Sequence, residues 1–88
     1  MVRQDIARAR FELDAEGETA FALYRLDGKV MTIHHTEVPP HLRNRGIASQ
    51  LIEGALGAAR AQGFKVVPRC PFVKAFIARH PEFRDLLA

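Results

Sequence analysis

Alternating apolar and polar residues mark three consecutive strands in the first half of the chain. Phe11 and Leu13 share one face of the first, and the run TAFALYRL leads to an Asp-Gly pair at 27–28, which KVMTIHHTEV follows. Asp-Gly between β-branched and aromatic residues is a strong hairpin signal, because both residues tolerate the positive φ of a type I′ turn. The pattern predicts an antiparallel three-stranded meander that ends at Pro39 and Pro40.

The third strand divides by period two into two faces. One face carries Val30, Thr32, His34, Thr36 and Val38, and the other carries Met31, Ile33, His35 and Glu37. His35 and Glu37 are therefore predicted neighbours on one side of the sheet. His34 lies on the opposite side, where it is either a weaker candidate for a general base or a residue packed against a helix.

After Gly46 the apolar residues recur at a helical period. They form one broad stripe that consists of Ile47, Leu51, Ile52, Ala55, Leu56, Ala58 and Ala59. Gly63 is predicted to close this helix as its C′ residue. Gly54 and Gly57 inside the helix each cost about 1 kcal/mol relative to alanine, so either the helix is marginal there or something packs closely against its backbone, and we favour close packing on the sheet.

A short apolar run and a second helix complete the chain. FKVVP reads as a buried strand, and the intervening helix favours a right-handed crossover to a parallel neighbour. Pro71 suits the first position of the helix PFVKAFIAR, and Pro81 stops it. The predicted fold class is α+β with an α/β-like second half: a three-stranded antiparallel meander plus one parallel strand, with two helices, in one domain over residues 1–88.

Composition narrows the function classes only modestly. The 88 residues are 48% hydrophobic and 26% charged, as in ordinary globular proteins, and no apolar run approaches the ~20 residues that cross a bilayer. The N-terminus lacks the apolar middle of a signal peptide, so we expect a cytoplasmic protein with no membrane partner. One cysteine and four histidines without zinc-ligand spacing predict no metal. A net charge of +3 is compatible with a polyanionic ligand, but also with none in particular.

The connection RNRGIA, at 43–48, lies between the third strand and the first helix. Backbone N–H groups at a helix start lack intrahelical acceptors and the helix dipole favours negative charge, so a glycine-containing turn there can wrap a pyrophosphate. The turn is neither a P-loop nor a dinucleotide fingerprint. The alternative is an ordinary strand-to-helix connection.

This turn matches R/Q-x-x-G-x-G/A, the pyrophosphate turn of the GNAT superfamily of acyl-CoA-dependent N-acyltransferases. Together with HTEVP before it, and VVPRCPFV and RHPEF after it, the chain resembles the small GNAT-like family of predicted acetyltransferases, which lack the N-terminal helices of full-length members. The resemblance implies a minimal GNAT fold, acetyl-CoA as acyl donor, and an amine of an unidentified small molecule or peptide as acceptor. Ala48 replaces the last glycine of the turn, and Phe76 stands where many full-length enzymes carry a tyrosine acid.

The resemblance also assigns candidate cofactor contacts. Val38 would meet the pantetheine arm, and the backbone from Arg43 to Ala48 would hold the pyrophosphate. The expected contacts are Val38, Arg43, Asn44, Arg45, Gly46, Ile47 and Ala48. The two parallel strands would splay after Pro39 and around Pro68, which opens a slot for the thioester.

Three residues are candidates for catalysis. Glu37 and His35 are the nearest candidates for a general base, and the alternative is a solvated pair on a strand. Cys70 precedes Pro71 at an N-cap-like position, where the helix dipole and Arg69 would favour a thiolate. Cys70 is then either a nucleophile that forms an acyl-cysteine or a small buried residue beside the cofactor thiol.

Two other function classes compete with the N-acetyltransferase. One is a module that binds acyl-CoA without efficient turnover. The other is a nucleic-acid-binding domain, which the sequence disfavours because the aromatic residues lie on apolar stripes and form no basic-aromatic face. Monomer and homodimer are both compatible with the sequence.

Overall fold

The computed structural model describes residues 1–88, which form one mixed sheet and two α-helices. The strands are β1 (Arg3–Asp5), β2 (Arg10–Ala15), β3 (Glu18–Asp27), β4 (Val30–Glu37) and β5 (Lys65–Pro68); the helices are α1 (Ile47–Ala61) and α2 (Pro71–Arg79); 3₁₀ turns span Pro40–Leu42 and Pro81–Leu86. The strands lie side by side in chain order, with β4 and β5 parallel and all other neighbours antiparallel.

The predicted α+β class is confirmed, with its meander, parallel strand and two helices. β1 is an additional strand that the sequence did not indicate, because its three residues show no alternation and it forms only by pairing with β2. Neither helix has the length and apolarity needed to cross a membrane.

The two hairpins of the meander use different turns. The β2–β3 loop consists of Glu16 and Gly17, whose φ angles of 51° and 80° are both positive, as a type I′ turn requires. In the β3–β4 hairpin, Asp27 is the last strand residue and pairs with Val30, so Gly28 is the first loop residue, with φ 60°. The predicted type I′ turn over Asp27 and Gly28 is therefore wrong, and a glycine at the first loop position fits a type II′ turn.

β4 contains a β-bulge at His34. Leu23 of β3 pairs with His35, whereas the next residue, Tyr24, pairs with Ile33, so His34 has no partner across the ladder. His34 is exposed, and the expectation that it packs against a helix is wrong. An extra residue in one strand bends that strand and ends the simple alternation of its side chains.

The bulge moves the end of β4 out of phase with its beginning. Thr36 pairs opposite the buried Ala22, and Val38 packs on the core, so both lie on the face of Ile33. His35 and Glu37 consequently lie on the other face of the sheet. The predicted face assignment holds up to Ile33 and is wrong beyond it, because one inserted residue shifts every later side chain to the opposite side.

Both α-helices cover the same face of the sheet. α1 packs across β2, β3, β4 and β5, and α2 packs on β4, β5 and α1. One cluster of 19 buried residues fills the space between them. Its large, fully buried members are Phe11, Met31, Ile33, Leu51, Ile52, Leu56, Val66 and Val73. Burying such a side chain contributes roughly 1.5–3 kcal/mol, so this single interface holds the two layers together.

The C-terminus of α1 is a Schellman motif, with Gly63 as the predicted C′ residue. Gly63 has φ 77°, its N–H donates to the carbonyl of Arg60 at 3.1 Å, and the N–H of Phe64 donates to the carbonyl of Ala59 at 2.9 Å. These bonds satisfy the carbonyls that a helix end leaves unpaired. The glycine fixes the direction in which the chain enters β5.

The two glycines inside α1 have different surroundings. A Cβ on Gly54 would lie 2.5 Å from a methyl group of Val2, whereas a Cβ on Gly57 would meet nothing within 4 Å. Close packing is therefore found only at Gly54, and its partner is the segment before β1. The interpretation that both glycines allow close packing on the sheet is wrong.

Candidate functional site

A gap opens in the sheet where β4 and β5 part. Their pairing ends at Ile33 and Pro68, and the N–H groups of Arg69 and Cys70 both donate to the carbonyl of Ile33 at 3.0 Å. Pro68 has no N–H to continue a ladder. Beyond Ile33, β4 pairs with β3 alone, so the splay begins earlier on β4 than the predicted point after Pro39.

The N-terminus of α1 faces this region with unpaired backbone donors. Gly46 is the N-cap, with a left-handed φ of 76°. The first hydrogen bond of the helix runs from the N–H of Gln50 to the carbonyl of Gly46, at 3.0 Å. No side chain caps the helix, and the N–H groups of residues 44–49 donate to no group of the protein. Free donors and the positive end of the helix dipole together favour an anion here.

A cavity of about 340 Å³ lies against this turn. Its lining consists of Val38, Leu42, Arg43, Asn44, Gly46, Ile47, Ala48, Ser49 and Phe72. Every expected cofactor contact except Arg45 is in this lining. The Nε of Arg43 donates to the carbonyl of Val38 at 3.3 Å, which anchors that side chain beside the turn.

Arg45 points instead to the β2–β3 hairpin. Its guanidinium forms an ion pair with Glu16, and the Nε2 of His41 lies 2.5 Å from a carboxylate oxygen of Glu18. Two acidic side chains of the hairpin thus contact one basic side chain within the turn, Arg45, and one shortly before it, His41. The two contacts span 29 and 23 residues of sequence, which is why no local pattern indicated them.

A second cavity, of about 480 Å³, continues the first toward the end of β4. It is lined by His35, Thr36, Glu37, Val38, Pro39, Pro40, Arg43, Ala48 and Phe72. Four of these residues also line the first cavity: Val38, Arg43, Ala48 and Phe72. The two cavities therefore form one continuous cleft that runs from the N-terminus of α1 to the gap between the strands. We refer to it as the cleft.

His35 and Glu37 lie together at the far end of the cleft. The Nε2 of His35 is 3.2 Å from an Oε of Glu37, and about half of each side chain is exposed. Because a carboxylate only accepts hydrogen bonds, this contact places the proton of a neutral His35 on Nε2 and leaves Nδ1 as an acceptor. The pair can accept a proton from a group bound at the mouth of the cleft.

Cys70 lies behind the wall of the cleft. It is the N-cap residue of α2, is 7% exposed, and lines neither of the two cavities. Its Sγ donates to the Oγ1 of Thr36 at 3.5 Å, and Thr36 lines the second cavity. One side chain therefore separates this thiol from the cleft.

Six residues that line the cleft were not among the predicted site residues: Thr36, Pro39, Pro40, Leu42, Ser49 and Phe72. Phe72 directly follows the helix-starting Pro71 and is 39% exposed, but the sequence alone does not show this exposure. The position of Thr36 could not be predicted, because it depends on the bulge that turns this side chain toward the helices.

Two ion pairs away from the cleft lower the pKa of their carboxyl groups. Hydrogen bonds from Arg3 and Thr19 lower the pKa of Asp14, and a hydrogen bond from Arg60 lowers the pKa of Asp85. These pairs join β1 to β2 and α1 to the C-terminal 3₁₀ turn. Their electrostatics therefore serve the fold rather than the site.

A donor-rich helix start that follows a strand, beside a gap between two parallel strands, is the arrangement expected of an acyl-CoA-dependent N-acyltransferase. The family model described as GCN5-related N-acetyl-transferase matches residues 10–86. The chain belongs to this family, and the resemblance drawn from its motifs is confirmed.

Named relatives and a solved structure agree with this assignment. Protein NATD1 of Mus musculus and of Homo sapiens are each 31% identical to the chain over 83 residues, which cover 91% of it and 76% and 74% of those proteins. The solution structure of a GCN5-like protein from Staphylococcus aureus superposes with a TM-score of 0.76 at 24% identity, over all of this chain and 87% of that one. The structural likeness supports the fold.

Proposed function

We propose that this protein is an acetyl-CoA-dependent N-acetyltransferase that moves an acetyl group to an amine of a small molecule or peptide. The observation that carries the proposal is the continuous cleft, which links the free backbone donors at the start of α1 to the His35–Glu37 pair. The anion site at one end would bind the pyrophosphate of acetyl-CoA, and the proton acceptor at the other end would take the proton of the attacking amine.

The residues along the cleft suit successive parts of the acyl donor, acetyl-CoA. The N–H groups of residues 44–49 suit the pyrophosphate, and Arg43 adds positive charge beside it. Val38 and Phe72 line both cavities and offer apolar surface to the pantetheine arm. When bound, acetyl-CoA supplies an acetyl group activated as a thioester.

His35 is the proposed general base. A protonated amine must lose its proton before it can attack, and Nδ1 of His35 is the free acceptor at the mouth of the cleft, while Glu37 holds the tautomer through Nε2. We expect His35→Gln to lower kcat by roughly 10²–10⁴-fold with little change in the KM for acetyl-CoA. Glu37→Gln should cause a smaller loss, and unchanged kcat in both variants would refute this role.

Cys70 provides the alternative, covalent route. Its sulfur would attack the acetyl carbonyl, release the CoA thiol, and pass the acetyl group to the amine, which regenerates the cysteine. The burial of Cys70 behind Thr36 favours direct transfer instead. Single-turnover transfer by Cys70→Ala should therefore persist, and its abolition in a folded variant would establish the covalent route.

Calorimetric titration with acetyl-CoA and with coenzyme A tests the proposal first. Gly46→Glu should weaken binding at least about tenfold, because a carboxylate would enter the anion site. Gly28→Glu is the matched control: Gly28 also has positive φ and open space around it, but it lies in a hairpin loop that does not line the cleft. Equal weakening in both variants, or no binding by the natural protein, would contradict the proposal.

A binding module without efficient turnover is the second candidate function. The open side of the sheet favours this candidate. Both α-helices cover the face opposite to His35 and Glu37, so no element of the chain covers the side from which an acceptor would approach. The two functions predict the same acetyl-CoA titration. They differ in whether acetylated product forms when a panel of primary amines and lysine peptides is supplied, as measured by mass spectrometry.

A further inference from the structure

A third cavity extends the cleft in the other direction, between the first turn of α1 and the length of α2. It has a volume of about 240 Å³ and is lined by Ser49, Phe72, Ala75, Phe76, Arg79 and His80. Ser49 and Phe72 also line the first cavity, so the two adjoin. We call this third cavity the α2 groove.

The α2 groove contains a positive charge without a partner. Its lining holds Arg79 and no carboxylate, and the guanidinium of Arg79 takes part in no ion pair or side-chain hydrogen bond. Arg45 and Arg60, by contrast, are each paired with an acidic side chain. An arginine offers planar, fork-like donors that suit a phosphate.

His80 forms a rigid end wall of the groove. Its Nδ1 donates to the carbonyl of Phe76 at 2.8 Å, and its ring stacks on that of Phe76 with centroids 3.9 Å apart. Because Nδ1 is engaged, Nε2 is the nitrogen left for a ligand. The groove thus ends in a fixed ring beside a free cation.

On the basis of the proposed function, we infer that the α2 groove binds the 3′-phosphorylated ribose of coenzyme A, with Arg79 as the phosphate ligand. The pyrophosphate occupies the first cavity, and the acyl arm leaves it toward His35 and Glu37. The nucleoside must leave on another side, and the α2 groove adjoins the first cavity there with an unpaired cation for the phosphate monoester.

Comparing coenzyme A with 3′-dephospho-coenzyme A isolates this contact, because the two ligands differ only in that phosphate. The natural protein should bind coenzyme A about tenfold more tightly, the effect expected of one charge-assisted contact. Arg79→Gln should reduce this ratio to about one and leave the affinity for the dephospho ligand unchanged. Arg84→Gln is the matched control, since Arg84 lines a separate cavity that contains Lys74 and Leu87, and it should preserve the ratio.

Each other outcome overturns the inference. Equal affinity of the natural protein for the two ligands would remove the phosphate contact, while the proposed acetyl-CoA function would stand. Equal weakening of both ligands by Arg79→Gln would assign Arg79 a structural role. Failure of the natural protein to bind either ligand would overturn the proposed function and this inference together.

Discussion

The two glycines of α1 allow a paired test of packing against helix propensity. Gly57 is exposed and a Cβ there meets nothing, so Gly57→Ala should stabilise the protein by about 0.5–1 kcal/mol through helix propensity alone. At Gly54 the same gain is opposed by a Cβ 2.6 Å from the Cβ of Val2, an overlap that demands displacement. Overpacking of this kind typically costs about 1–3 kcal/mol, so Gly54→Ala should be net destabilising by up to about 2 kcal/mol.

Urea unfolding followed by circular dichroism measures both effects, and a difference of 1 kcal/mol should move Tm by roughly 4–8 °C in a chain of this size. The double variant Val2→Gly with Gly54→Ala removes the overlapping atoms of Val2. Its coupling energy relative to the single variants should be favourable. If Gly54→Ala stabilises as much as Gly57→Ala, the contact with Val2 does not restrict the helix and the reasoning fails.

Three further predictions follow from individual contacts. Glu16→Gln releases Arg45 and removes a negative charge near the turn, so titration at low salt should give a Kd for coenzyme A about 2–5-fold lower; an unchanged or higher Kd would contradict this. Asp85→Asn should lower the unfolding free energy at pH 7. Because Arg60 lowers the pKa of Asp85 below 3.8, the ion pair contributes its full stability above this pH and loses it as the pH falls through the pKa of Asp85 in the folded protein. The unfolding free energies of the variant and the natural protein should therefore converge in acid. A difference that stays constant with pH would argue against the pair. Tyr24→Phe deletes a buried hydroxyl that accepts a 2.8 Å hydrogen bond and should cost about 0.5–1.5 kcal/mol in urea unfolding; no change would show that water replaces the bond.

The elements of the fold could be predicted where local chemistry alone determines them. Gly63 marks the end of α1 because only a residue tolerant of positive φ suits that position, and Pro71 marks the start of α2 because its missing N–H is not needed there. The turn around Gly46 was predictable for the same reason. These signals depend on a few neighbouring residues, so one sequence is enough to read them.

Contacts between distant segments could not be predicted in this way. The ion pair of Arg45 with Glu16 depends on how the β2–β3 hairpin extends toward the turn, and the contact of Val2 with Gly54 depends on where β1 joins the sheet. The α2 groove depends on how α1 and α2 pack beside each other. Each of these features follows from tertiary packing, which no local period records.

The bulge at His34 has a consequence for how β4 tolerates mutation and evolves. Before the bulge, odd-numbered positions face the helices; after it, even-numbered positions do, so Met31 and Ile33 share their constraint with Thr36 and Val38. In a comprehensive mutational scan, sensitivity to polar substitution should change parity at residue 34. Deleting His34 would restore a regular strand with an unbroken alternation, and it should leave Thr36 and Val38 facing the helices and His35 and Glu37 facing outward, because the pairs on either side of the bulge keep their partners.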